Sequence, residues 1–304
     1  PQNPKTPWGY DILILIENFI FLAKIINLSI ERTSWKNMGN CYTCSEGGPR
    51  GSEITSEAQK YFFAFQYGNK FENTLFSYDT ATKSSGRIQS DTAIEVQEKF
   101  ACQVFHDVYT LDHDKQQTSL TRISNLTSGR PEKTAMRNPP NSRGFPAVCV
   151  YNSAHIFVSG GQSAIDFTED YASVDIYDIG KDQWSAGPPM NQARKNHAMC
   201  ALGKYIYVFS GAAGAAFLDS IERLDASAVV AGRAAKWENV RLEAGNSLPA
   251  RGLPLVAPWS SDEIIYLGGI QAGSCKGDGY VVNVVRGTVK KCFDSAFKFT
   301  GDGN

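Results

Sequence analysis

Three arginines recur at one place in a repeating pattern, and they are the side chains best equipped for chemistry. Arg143, Arg194 and Arg251 each precede an apolar, strand-like run, 51 and 57 residues apart. A guanidinium presents a planar fork of donors that matches a carboxylate bidentately. Three of them on one face would grip an acidic segment of a protein partner. The competing reading is that each bonds loop carbonyls of its own repeat, because a feature that recurs with a repeat usually serves it.

The other reactive residues form no set. His155 opens one strand-like run and His197 another, in different places within their repeats, so the two are not expected to share a metal ion. Cys41-Tyr-Thr-Cys44 is half of a zinc site, with no second pair nearby. A serine-nucleophile motif, an HExxH and a P-loop are all missing. Gly211-Ala-Ala-Gly214 follows a strand but opens no helix, as a dinucleotide site requires. These observations predict no catalytic residue, no metal and no cofactor.

Composition narrows the partners. Lys and Arg total 30 against 31 acidic residues, so no broad field draws in nucleic acid or an anionic membrane. The 7 cysteines are odd in number and lie mostly in apolar runs, which points to free thiols in a reducing compartment. A cytoplasmic location is therefore expected. Asn27-Leu-Ser and Asn125-Leu-Thr, two glycosylation patterns, keep a secreted location as the alternative.

The elements that must position these residues fall into two regions. In residues 1–58, the run Tyr10 to Ile30 is almost wholly apolar and predicts a helix; Glu17 and Lys24 inside it argue against a membrane anchor. Residues 36–58 are polar and Gly-rich, a linker. Residues 59–304 are short apolar runs separated by turns. Phe145–Val150 is followed by His155–Gly161, His197–Leu202 by Lys204–Gly211, and Leu253–Ala257 by Glu263–Gly269. An apolar strand, a turn, a second strand and a glycine stop repeat three times. Phe100–Phe105 with Val108–Asp112 is a fourth copy without the glycines, and Tyr61–Gly68 with Thr74–Asp79 suggests a fifth. Such spacing predicts an all-β domain.

One copy carries a fuller signature: Gly160-Gly161, then Tyr177-Asp178, Trp184, Pro188-Pro189-Met190 and Arg194. This resembles the kelch repeat, whose period is about 50 residues and whose unit is a four-stranded propeller blade. Other copies depart from it. Ser210-Gly211 replaces the diglycine, Leu224 replaces the Tyr, Trp237 follows an insertion at 226–235, and Gly268-Gly269 is intact while Cys292 stands near the expected Trp. The resemblance implies a kelch-type β-propeller of about five recognisable blades, either a five-unit ring or an incomplete six-bladed one. Gly160, Gly161, Tyr177, Trp184, Gly211, Trp237, Gly268 and Gly269 would be its structural repeat residues.

The resemblance also implies a non-catalytic scaffold or adaptor that binds a protein partner through loops on one face. The insertion at 226–235 and the loop at 162–172 are the variable elements. The alternatives are a kelch-like enzyme, of sugar oxidase or epimerase type, and a secreted carbohydrate-binding propeller.

Overall fold

The structure, a computed structural model, describes residues 60–65, 74–79, 84–87, 100–113, 117–126, 130–163 and 167–294. The predicted N-terminal helix, the linker and the Cys41–Cys44 pair lie outside these residues. No helix among the described residues is long and apolar enough to cross a membrane.

Besides three short two-stranded ladders, the described residues form four antiparallel sheets of four strands and one of three. The first sheet holds Lys60–Phe65, Thr74–Asp79 and Ser84–Arg87. The second holds Phe100–Val104, Asp107–His113, Thr118–Ser124 and Glu132–Ala135. The third holds Ala147–Tyr151, His155–Ser159, Val174–Asp178 and Gln183–Gly187. The fourth holds Ala198–Leu202, Tyr205–Phe209, Ile221–Asp225 and Glu238–Asn239. The fifth holds Leu255–Pro258, Glu263–Leu267, Gly279–Asn283 and Thr288–Phe293. Each sheet is a meander whose strand order is the chain order. The first strands of the second, third, fourth and fifth sheets adjoin in turn.

Strand alternation explains the stacking, because each sheet sends successive side chains to opposite neighbours. Val150, Ile156, Val158 and Tyr177 of the third sheet meet Cys102, Tyr109, Leu111 and Leu120 of the second. The intervening residues Cys149, Phe157, Val174 and Ile176 meet Met199, Ile206, Val208 and Leu224 of the fourth. On the far side of the fourth sheet, Cys200, Tyr207, Phe209 and Ile221 meet Ile264, Tyr266 and Val282 of the fifth. Fully burying one such side chain is worth about 1.5–3 kcal/mol, so each interface is a core in its own right. The core lies between sheets, and a single unit has no core of its own.

Candidate functional site

The end of each second strand is where the repeat residues converge. In the third sheet, Arg143 Nη1 donates to the carbonyls of Gly160 and Ser173, both at 2.9 Å, and Nη2 donates to Asp175. In the fourth, Arg194 Nη1 donates to Ser210 O at 2.7 Å and Nη2 to Glu222 Oε1 at 2.6 Å. In the fifth, Arg251 Nη1 donates to Gly268 O and Nη2 to Asp278 Oδ2, both at 2.8 Å. Each guanidinium thus ties the glycine stop of its own sheet to an acid in or just before the third strand.

The same arginines also join neighbouring sheets through their backbone. Gly161 N–H donates to Arg194 O at 2.9 Å, and Gly211 N–H to Arg251 O at 2.8 Å. Two residues on, Asn196 N–H donates to Phe145 O and Leu253 N–H to Asn196 O. Phe145, Asn196 and Leu253 share a left-handed backbone, with φ of 54°, 51° and 52°. That conformation is uncommon for Phe and Leu and more readily adopted by Asn, and it recurs where these inter-sheet bonds form.

The expectation of an arginine face that grips an acidic partner is corrected here. Arg143, Arg194 and Arg251 are 1%, 0% and 2% exposed. Their forks are occupied by Asp175, Glu222 and Asp278, so a partner carboxylate finds no free donor pair. Burial pulls the Arg143 and Arg194 guanidinium pKa values down, and the facing Asp175 and Glu222 carboxylates oppose it. Burial also works against ionisation of Asp278, but hydrogen bonds from Arg251 and Tyr280 prevail and hold its carboxyl below the usual value.

The glycine stops leave no room for side chains. A Cβ on Gly160 would overlap Arg194 O and lie 2.7 Å from His197 Cε1; one on Gly161 would lie 2.6 Å from Gly144 O. Ser210 takes the first-glycine place in the fourth sheet at φ 57°, against 60° for Gly160 and Gly268. Its hydroxyl sits 3.1 Å from Tyr266 Oη, which offsets the strain. His197 is wedged at the same joint, with Nε2 2.8 Å from Ser159 Oγ. Burial, then the charges of Arg194 and Arg143, push the His197 pKa well down, so the ring is neutral. His155 instead pairs Nδ1 with Asn152 Oδ1, and its pKa is lowered by burial against the pull of Asp178. No group of His, Cys, Asp and Glu that could hold a metal occurs among the described residues.

The remaining repeat residues sit at the outer strands. Tyr177 is fully buried between the second and third sheets, and donates to Asp182 Oδ1 at 2.7 Å. Trp184 is only half-buried; its ring lies 5.0 Å from Tyr177, and Nε1 donates to Arg137 O. Trp237 is the buried one, and its Nε1 donates to Pro188 O at 2.8 Å. Both indoles therefore clasp the chain as it leaves the preceding sheet. The 226–235 insertion, expected as a binding loop, contains a short helix, α1(Ala226–Val230). Asp225 caps it by accepting from Ala228 N–H, and Ala226 is buried in the core between the third and fourth sheets with Val229 and Val230 packed against it, so the helix serves packing.

The loops that follow the glycine stops behave differently. Phe167 is 53% exposed and Phe217 37% exposed. Phe167 lies over Gly144 and 6.4 Å from the Phe145 ring; Phe217 lies over Gly252, where a Cβ would come within 2.9 Å of its ring. Between them Lys195 bonds Asp170 at 3.0 Å. Asn196 bonds Phe145, and the space above Gly252 adjoins both Phe217 and Asn196, so a chain of contacts links the two aromatics.

Residues 142–191 match the family model for the Kelch motif. The match opens beside Arg143 and closes beside Met190, so it takes in the whole third sheet and its glycine stop. The described residues form an all-β fold that carries a kelch motif. No curated protein matches the chain.

Proposed function

We propose that this chain is a kelch-type propeller that acts as a non-catalytic scaffold, binding a protein partner on the loop face that follows the glycine stops. The observation that carries the reading is the pair Phe167 and Phe217, exposed on loops whose bases are pinned by buried arginine joints. Exposed aromatic side chains on a rigid base make good interface anchors, because burying them gains much area for little ordering. Kelch motifs generally mediate protein–protein interactions, which agrees with this reading. The meandering sheets with adjoining first strands support radial blades. On the far side of the fifth sheet, Ala257, Ile265 and Leu267 cluster with Leu255, Trp259 and Val281, an apolar face suited to ring closure against the first sheet. The buried cysteines Cys102, Cys149 and Cys200, none in a disulfide, suit a reducing compartment, and we propose a cytoplasmic location.

Hydrogen exchange tests the reading. Short random peptides displayed on phage are selected against the full chain, and the tightest is added in excess. Protection is expected at 161–163, 167–172 and 211–219. Protection confined to the opposite turns, around 152–154 and 203–204, overturns the loop-face assignment.

A further inference from the structure

We infer that the partner segment on this face alternates apolar anchors with lysine or arginine; the inference rests on the loop-face reading above. Two consecutive sheets carry the same three-residue pattern in the same place. Phe167-Thr168-Glu169 and Phe217-Leu218-Asp219 each begin six residues after the second residue of the glycine stop. Glu169 and Asp219 are both exposed. Neither carboxylate has a cation or a hydrogen-bond donor among the described residues.

The cation between the two loops is already committed. Lys195 Nζ is held by Asp170 Oδ1 at 3.0 Å and by Gln162 Oε1 at 2.7 Å. Among the described residues, the two phenylalanines are therefore flanked by two uncompensated negative charges. An acidic partner would be repelled there, and a wholly apolar one would leave both carboxylates without counter-charge as water withdraws. A segment that seats apolar side chains against the rings and places Lys or Arg beside them satisfies both demands. In the fifth sheet the matching places hold Cys275 and Gly277, with Lys276 between them. The pattern ends there, so the footprint is confined to the loops of the third and fourth sheets.

Three forms of the full chain separate this inference from the reading beneath it: the unaltered chain, Glu169→Lys/Asp219→Lys and Phe167→Ser/Phe217→Ser. Peptides selected on the unaltered chain are expected to be enriched in Lys or Arg next to Leu, Phe or Trp. Charge reversal should weaken the selected peptide by about tenfold at low salt, and added salt should erase the difference. The serine pair should abolish binding. Loss on the serine pair with no effect of charge reversal, or selection of peptides lacking basic residues, overturns the charge inference and leaves the loop face standing. Unchanged binding by both variants, or failure to select any peptide, overturns both. Among the described residues the Glu169 and Asp219 carboxylates make no ion pair or hydrogen bond, so their reversal should leave the melting temperature in place. Phe217 covers Gly252, so a melting shift in the serine pair is resolved by repeating the assay with Phe167→Ser alone.

Discussion

Arg194 Nη2 donates to Glu222 Oε1 at 2.6 Å, and the two side chains are 0% and 1% exposed. A charge pair this deep is held by its hydrogen bonds, because the desolvation cost of each ion is several kcal/mol. Arg194 adds a bond to Ser210 O at 2.7 Å but leaves its buried Nε without a partner among the described residues, while Glu222 also accepts from Asn191 N–H at 2.7 Å. Replacing Glu222 with Gln keeps the shape and removes the counter-charge. We expect Glu222→Gln to cost about 3–5 kcal/mol, the range for breaking a buried pair, measured by urea denaturation. A loss below about 1 kcal/mol would mean that water reaches the pair.

The two tryptophans should differ. Trp237 is buried and Trp184 half-buried, though both indoles bond the preceding linker. Trp237→Ala should cost about 3–5 kcal/mol, as deletion of a buried Trp does, and Trp184→Ala distinctly less. Denaturation midpoints compare the two; equal losses would place Trp184 as deeply as Trp237.

Glycine-stop substitutions should be asymmetric. Gly160→Ser drives a Cβ into Arg194 O, so it should destabilise by more than the roughly 1–2 kcal/mol of a left-handed backbone alone. Ser210→Gly relieves that backbone cost but loses the Tyr266 contact, so it should fall within about 1 kcal/mol of neutral. Denaturation of both variants checks this. A mild Gly160→Ser would show that the neighbouring sheet gives way.

Acid should loosen the joint between the third and fourth sheets. His197 has its folded pKa lowered, so its contribution is fully present above the unfolded value of about 6.5 and declines as pH falls below it. The lowered carboxylates Asp178, Asp182, Asp225, Asp262 and Asp278 lose their contribution only as pH falls below their unfolded value near 3.8. Between these limits the loss belongs to His197, with a share from His155. Stability followed from pH 7 to 4.5 should drop by up to about 1.4 kcal/mol per pH unit for each proton taken up. His197→Gln should flatten that slope; an unchanged slope removes His197 as its source.

Much of the fold was legible because its signals are local. Alternating apolar runs, turn residues and glycine stops lie within a few residues of each other, and the strands fall where they point. The arginines were harder to read. Their burial depends on acids 32, 28 and 27 residues further on, across loops of unequal length. Asp175 and Glu222 occupy the second place of their third strands, but Asp278 precedes its strand, so no fixed register flags the three. The helix in the insertion did leave a mark, since Asp225 followed by Ala-Ser-Ala is a capping sequence. The Phe-x-acid pattern in two loops was readable too, but its exposure is a tertiary fact.

The most direct test of the whole account is thermal melting of Arg194→Ala beside Phe167→Ser. Arg194 serves the scaffold, and Phe167 is proposed for the binding face. Arg194→Ala should lower the melting temperature by on the order of 10 °C, since about 3–5 kcal/mol is lost in a domain of this size. Phe167→Ser should melt with the unaltered chain. An Arg194→Ala protein that melts like the unaltered chain would contradict the account.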